Sequence, residues 1–233
     1  GASEEALREV HDFAQGNAGH VRIGSGPIAA DHVLPALCQL LLREAPSTTI
    51  DITVGPSMAL RQQLSEGSID LLIGLVPVSD ALFQTHPISE DAVVVATSPQ
   101  HSVFALPQVS LQALLDYGWA LPAVSIPSRQ WLDAVFQSRG LPLPRVQVSA
   151  NSIPLLPALI ARTGLLSFVS RRTLSDSRHG VLKEVPLPET TLIRTLGVTH
   201  RRGGYLSPAA RRLVSLLQVY GESLAAEGMV HLP

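Results

Sequence analysis

Apolar and polar residues along this chain form blocks of two kinds that follow one another in a regular order. HVRIG (20–24) is an apolar run of strand length. A Gly/Ser/Pro turn follows, then VLPALCQLLLREA, in which Val33, Leu37, Leu40 and Leu41 recur at the spacing of one helical face. TTIDITVG (48–55) alternates with period two, SMALRQQLSEG (57–67) predicts a short helix ending at glycine, and IDLLIGLV (69–76) is an unbroken apolar strand. Continuous apolar strands separated by helices predict a mostly parallel sheet covered on both faces.

The order then restarts. DAVVVATS (91–98), GWALP (118–122), RVQVSA (145–150) and LLSFVS (165–170) read as strands, with helices VSLQALLDY (109–117), SRQWLDAVFQSRG (128–140) and SIPLLPALIARTG (152–164) between them. VLKEVPL (181–187) and LIRTLGVTH (192–200) add two strands. SPAARRLVSLLQVYGESLAAEG (207–228) adds a long amphipathic helix, with Pro208 in its first turn and Gly228 at its end. Ahead of these, Leu7, Val10 and Phe13 recur at helical spacing behind Ser3, predicting a helix over 3–14 closed by GNAG. Two such series without a Pro/Ser-rich linker predict an α/β fold of two Rossmann-like lobes joined by crossover strands, with crossings near 76–90 and 181–192. The lobes read as 19–86 with 187–228, and 87–186, after a lead-in of 1–18. A crevice between lobes, where strand carboxyl ends and helix N-termini converge, is the default binding site of such a fold.

Charge and composition narrow the chemistry. Seventeen basic residues against nineteen acidic ones give a net charge of -2, too balanced for a surface that neutralises many phosphates. Cys38 is the one cysteine, so no internal disulfide forms. Lys183 is the one lysine and lies in VLKEV rather than after a glycine-rich loop, which removes a Walker-type phosphate site and leaves one candidate for imine chemistry. The eight histidines are scattered without H-x-x-x-H or H-x-H spacing, so neither a metal nor a cofactor is expected. No apolar run is long enough for a membrane span, and the N-terminal residues lack the basic-then-apolar order of a signal peptide.

The turns between strands and helices carry what chemistry remains. Gly24, Ser25, Gly26 and Pro27 to Ala30 follow the G-x-G-x-x-A outline of a dinucleotide turn. The acidic residue due at the end of the second strand is absent, and Pro27 has no N–H for a pyrophosphate. Gly55, Pro56, Ser57, Met58 and Ala59 outline a nucleophile elbow but place alanine where it needs glycine, so Ser57 reads as a helix cap that can also touch a ligand. Ser125 to Arg129, and Ser149, Ala150, Asn151 and Ser152, present hydroxyls or an amide at the next two strand-to-helix turns, where ordinary capping is the competing reading. Glu90 and Asp91 read as a solvated turn before a strand. The pairs Arg171–Arg172 and Arg201–Arg202 read as solvated or within reach of an anion.

Taken in order, AQGNAGHVRIG, VLPALCQLLLREAP, TIDITVGPS and LRQQLSEGSIDLLIGLVP resemble the effector-binding domain of LysR-type transcriptional regulators, whose segments run G-x-L-R-I-G, L-L-P-x-L, E-G-x-S and L-x-x-G-x-L-D-L-A-I. SRQWLDAVFQSRG and SANSIPLLPALIARTGLLSFVSR continue the resemblance, which spans about residues 17–220. Two departures stand out. Ser25 is the hydroxyl nearest the family's position in the first turn, and the family's G-L-G-I-A-L-L-P reads Gly164 to Arg171 without its second glycine and its proline.

The resemblance implies a fold similar to type 2 periplasmic binding proteins and a small-molecule effector between the lobes. It further implies a cytoplasmic homodimer or tetramer with no membrane partner. DNA would be reached through an N-terminal winged helix-turn-helix outside this chain, with RNA polymerase as a partner of the whole protein. Helix 3–14 would be the end of its linker helix, and the effector would shift populations of lobe or dimer arrangements. The expected ligand contacts are Ser25, Gly26, Pro56, Ser57, Leu75, Ser128, Asn151 and Ser152, with no catalytic residue. A carboxylate suits them, because helix N-termini supply amides without lysine or metal. A periplasmic transport receptor, and a hydrolase using Ser57, are the alternatives from other classes.

Overall fold

Val21 and Ile23, alternate residues of the first strand, are fully buried, and they point into the core that the long C-terminal helix covers. The computed structural model describes residues 6, 7, 10, 19–76, 80–176, 178 and 180–226. It divides the chain into two units, Gly1–Glu90 with Thr195–Pro233, and Asp91–Arg194. The divisions fall at 90/91 and 194/195, against 86/87 and 186/187 read from sequence. Of the helix expected over 3–14, only Ala6, Leu7 and Val10 are described, and they are helical and exposed; the rest of it and the expected stop at Gly228 lie outside the described residues.

The elements of the first unit are β1 (His20–Ser25), α1 (Pro27–His32), α2 (Leu34–Glu44), β2 (Thr49–Val54), α3 (Ser57–Glu66) and β3 (Leu71–Leu75). β1 lies between β2 and β3, parallel to both, with Ile23 opposite Ile52 and Leu71. The apolar run of β3 is unbroken because both its faces are covered. Leu71 and Ile73 meet Leu37 and Leu41 of α2, while Leu72 packs with Leu60 and Leu64 of α3 and with Ile69 and Phe83. Gly24 makes room for that second layer: a Cβ there would lie 2.5 Å from Ile69 Cδ1 and 3.1 Å from Leu60 Cδ2. The glycine of the apparent dinucleotide turn thus serves helix–sheet packing. α3 ends at Gly67, whose φ of 77° is the left-handed cap position that glycine takes without strain. The alternation of β2 does not translate into one buried face. Paired only with β1 at the end of the strand order, it leaves Ile52 and Val54 exposed.

The chain leaves the first unit along β4 (Phe83–Thr97), passes through the second as α4 (Leu111–Leu114), β5 (Gly118–Pro122), α5 (Pro127–Ser138), β6 (Arg145–Ala150), α6 (Leu155–Thr163), β7 (Ser167–Ser170) and β8 (Lys183–Glu184), and returns along β9 (Leu192–Arg201) to α7 (Pro208–Ala226). In the first unit β9 pairs antiparallel with β3, Gly197 opposite Gly74, and Leu213 and Leu217 of α7 close the core. In the second, β7 and β8 pair antiparallel with β4, and β5 pairs parallel with β6. Ala120 N–H to the Leu166 carbonyl at 2.8 Å, and Leu166 N–H to Gly118 at 3.0 Å, join β5 to the approach of β7. Trp119, Leu121, Leu132, Phe136 and Phe168 fill the core of this unit.

Several boundaries differ from the sequence reading. The strand expected at 91–98 begins at Phe83, the helix at 109–117 shortens to Leu111–Leu114, the helix at 152–164 starts at Leu155, and the strand at 181–187 keeps only Lys183–Glu184. Glu90 and Asp91 are not a solvated turn. They lie inside β4, and the Asp91 carboxylate, 0% exposed, accepts from Ser170 Oγ at 2.6 Å and from Arg194 Nε and Nη2 at 2.9 and 2.8 Å. Arg172 Nε lies 3.6 Å from its other oxygen. Asp91 is the first residue of the second unit and Arg194 the last, so this ion pair ties the entering strand to the leaving one. Among the described residues no helix is long and apolar enough to cross a membrane.

Candidate functional site

Because β1, β2 and β3 are parallel, Ser25, the Gly55–Pro56–Ser57 turn and Leu75 fall at one edge of the first unit's sheet. Backbone bonds hold them there: Gly55 N–H donates to the Ser25 carbonyl, and Gly26 N–H to the Ile73 carbonyl, each at 3.1 Å. Ser25 is fully buried, and its hydroxyl donates to the Gly26 carbonyl at 3.0 Å. Gly26 has an ordinary φ of -69°, and nothing lies within 4 Å of where its Cβ would be. Its backbone is open to close approach. Leu75, Pro56 and Ser57 are all exposed.

Ser57 does not cap its helix. Pro56 is the N-cap residue of α3, Ser57 is the first helical residue, and no side chain bonds the free amides. The same displacement recurs in the second unit. α5 is capped by Ile126 and α6 by Pro154, both without a side-chain bond, so Ser128 lies inside the first turn of α5 while Asn151 and Ser152 precede α6. Ala123 N–H donates to the Ala150 carbonyl at 2.8 Å and brings these two turns side by side. Among the described residues, the side chains of Ser57, Ser128, Asn151 and Ser152 have no hydrogen-bond partner. Elsewhere this chain does cap with serine: Ser110 Oγ accepts from Ala113 N–H at 3.2 Å, and Ser207 Oγ from Ala210 N–H at 3.1 Å. Capping therefore explains none of the four candidate side chains at the turns. The signal that misled was residue type; a cap also needs its φ/ψ, which proline or isoleucine here occupies one or more residues away.

The charged candidates are tied to the protein. Arg171 holds Glu184 through two bonds of 2.8 and 2.9 Å, Arg172 faces Asp91, and Arg202 donates to the Ala81 and Phe83 carbonyls. Arg129, which the sequence reading passed over, is buried against Asp133 in the first turn of α5. Among the described residues no histidine is bonded to Ser57, and no group of three or more His, Cys, Asp or Glu side chains is placed to hold a metal. What the turns offer is hydroxyl, amide and backbone N–H donors, groups able to bond a small polar or anionic molecule.

Two of the scattered histidines do meet. His86 of β4 and His200 of β9 approach at 3.3 Å between Nε2 atoms, Gln218 Nε2 lies 3.0 Å from His86 Nδ1, and His200 Nδ1 lies 3.0 Å from the Arg201 carbonyl. A carbonyl only accepts, so His200 donates from Nδ1, accepts at Nε2 from His86, and His86 in turn accepts from Gln218. His86 is neutral in this chain of bonds, and a proton added at its Nδ1 sets N–H against the Gln218 amide N–H. Burial, and then the charge of His200, push the His86 pKa below its ordinary value. The unfolded chain thus binds the proton more readily. This contribution to stability is complete above the ordinary imidazole pKa of about 6.5 and is lost as pH falls below it. Burial lowers His101 in the same direction, so the comparison must be with a variant. His86→Asn is expected to flatten the fall of Tm between pH 7 and pH 5; equal slopes in the two proteins would remove the pair from the linkage.

The LysR substrate binding domain family matches residues 14–220, and the chain belongs to that family. The HTH-type transcriptional regulator GalR of Pseudomonas putida is 25% identical over 203 residues, which are 86% of this chain and 51% of GalR. This chain thus spans about half the length of that relative. The regulatory domain of CcmR from Synechocystis PCC6803, in complex with 2-PG, superposes with a TM-score of 0.76 at 19% identity, covering 87% of this chain and 97% of that one. The effector binding domain of QuiR in complex with shikimate gives 0.73 at 18% identity, covering 88% and 97%. The fold is that of LysR effector-binding domains.

Proposed function

We propose that this chain senses a small carboxylate for a LysR-type transcriptional regulator. The ligand-contacting groups are Gly26, Pro56, Ser57 and Leu75 at the turns of the first unit and Ser128, Asn151 and Ser152 at those of the second, with Ser25 buried behind Gly26. The observation that carries this reading is the set of turn side chains that do not cap their helices. Membership of the family and the acids bound by QuiR and CcmR in their complexes support it. The regulator would act in the cytoplasm as a homodimer or tetramer, reach DNA through a winged helix-turn-helix outside these residues, and communicate with RNA polymerase. Effector binding would shift its population toward one arrangement of its DNA-binding parts.

The test is a thermal-shift screen of shikimate, 2-PG and other small acids beside their neutral esters, repeated on Gly26→Ala, Ser57→Ala and Ser152→Ala. Acids are expected to raise Tm and esters not. Without ligand, Ser57→Ala should change stability by less than about 0.5 kcal/mol, against about 1 kcal/mol for a lost N-cap. With ligand, each serine variant should weaken binding about fivefold, one neutral hydrogen bond of about 1 kcal/mol. Gly26→Ala, harmless to a backbone at φ -69° with open space above it, should weaken binding by steric exclusion alone. Ligands whose affinity ignores all three substitutions would place the site elsewhere.

A further inference from the structure

His86 of β4 and His200 of β9 are 114 residues apart in the chain, a separation that no ligand-spacing motif spans, and neither belongs to the turns assigned to the effector. Their ring centroids lie 5.4 Å apart with the planes inclined by 22°, and the Nε2 atoms lie 3.3 Å apart. The rings therefore meet edge to edge, nitrogen to nitrogen, rather than face to face. That separation is long for a hydrogen bond, since an N–H donor usually lies about 2.7–3.2 Å from its acceptor. It matches the span across a tetrahedral metal ion: two nitrogens, each about 2.0–2.1 Å from Zn²⁺, are about 3.3–3.4 Å from one another. Adjacent ligands of a square-planar or octahedral ion at similar bond lengths come closer, to about 2.8–3.0 Å.

The outer nitrogens of both rings are held. Gln218 Nε2 lies 3.0 Å from His86 Nδ1, and the Arg201 carbonyl lies 3.0 Å from His200 Nδ1. Such partners are what a metal-ligating histidine needs, because they fix the orientation of the ring and its tautomer. His200, with its proton on Nδ1, already presents a lone pair at Nε2. His86 reaches the same state when its proton moves from Nε2 to Nδ1 and the Gln218 amide turns over to accept it through Oε1, an exchange that neither gains nor loses a proton. The surroundings are closely packed. The hydroxyls of Thr85 and Thr199 meet at 2.9 Å beside the pair, and Gly221 lets α7, which carries Gln218, lie against β4: a Cβ there would be 3.3 Å from the Ile88 carbonyl oxygen.

We propose that His86 and His200 form a binding site for one Zn²⁺ ion, each ligating through Nε2, with water in the two remaining positions of the tetrahedron. Two imidazoles and two open positions make an exchangeable site rather than a closed structural one. Nitrogen ligands disfavour Mg²⁺ and Ca²⁺, which take oxygen. Bound there, the ion clips β4, by which the chain leaves the first unit, to β9, by which it returns, and stabilises the folded chain by mass action. The site is independent of the effector-sensing reading.

The experiment titrates zinc chloride into the 15N-labelled 233-residue chain, free of chelator, and follows the imidazole nitrogens by long-range 1H–15N correlation. Expected are saturable shifts of His86 Nε2 and His200 Nε2 with one shared Kd, while the protons stay on both Nδ1 atoms, a readout that needs no variant. Magnesium chloride at the same ionic strength should move neither signal. His86→Asn and His200→Asn should each abolish saturable binding at the remaining ring. Gln218→Ala, a change to an exposed side chain, should weaken the Kd about tenfold, the low end of the usual loss when the partner behind a ligand is removed. His20→Asn should leave the Kd unchanged, although His20 Nε2 lies 3.1 Å from Asp51 and offers zinc a competing pair. Should an asparagine variant fail to fold, the wild-type shifts and Gln218→Ala carry the test. Shifts that rise linearly with zinc, that fall on other imidazoles, or that follow different Kd values at the two rings overturn the site. A folded His200→Asn that binds zinc like wild type does the same.

Discussion

Asp91→Asn is expected to destabilise residues 91–194 by about 3–5 kcal/mol, the usual consequence of leaving a buried charge without its partner. The carboxylate is 0% exposed and is approached by two guanidinium groups, those of Arg194 and Arg172, each 18% exposed. An asparagine of the same shape keeps one acceptor but gives up the charge, and its amide N–H₂ then faces either Ser170 or Arg194. Two positive charges are left close together in a setting where water reaches them poorly. Urea denaturation followed by tryptophan fluorescence measures this directly, since both tryptophans, Trp119 and Trp131, lie in the second unit. Combining Asp91→Asn with Arg194→Met should recover part of the loss, because the cycle removes a repulsion that the single substitution creates. A midpoint shift worth less than about 1 kcal/mol would show that the pair is more hydrated than its burial implies.

Trp119→Ala should cost a similar amount, about 3–5 kcal/mol, through a cavity rather than a charge. Trp119 is fully buried on β5, meets Phe136 of α5 edge-on at 6.3 Å between ring centroids, and donates from Nε1 to the Leu114 carbonyl at 3.1 Å. Its removal empties the centre of the second core and strips a buried carbonyl at the end of α4 of its donor. Trp131, stacked on Phe168, remains as the reporter. Hydrogen exchange should show lost protection spread across β5, β6 and α5. Protection lost only at α4 would mean that the core closes over the gap and that the hydrogen bond was the larger contribution.

Both substitutions act on features of unequal legibility. β3 was readable because a strand covered on both faces must be apolar throughout, and no partner needs to be known to see that. The first half of β4 was not. Phe83 to Glu90 mixes His, Ser, Thr and Pro and carries no period, and its extended form comes from pairing with β9, seen in the Thr85–Thr199 hydroxyl contact of 2.9 Å and the Arg202 N–H to Leu82 carbonyl bond of 2.9 Å. Asp91 looked solvated for the same reason: its partners lie 79 and 103 residues along the chain.

The candidate site divides similarly. That Ser57, Ser128, Asn151 and Ser152 sit at strand-to-helix turns was legible, since the order of strands and helices dictates it. Whether each hydroxyl is occupied was not, because that turns on one or two dihedral angles and on where a proline falls. Arg129 stood in plain view beside Ser128, yet nothing local revealed that Asp133 and the Pro122 carbonyl would hold it still.

By itself, then, the sequence determined the α/β succession, the family and the residue types available at the turns. These depend on burial patterns and chain order, which local composition records. The tertiary structure alone decided where the chain passes from one unit to the other, which charges are buried, and which donors remain unbonded. Those depend on what distant segments bring to the same place, and in the single sequence a hydrogen-bond partner a hundred residues away leaves no local trace.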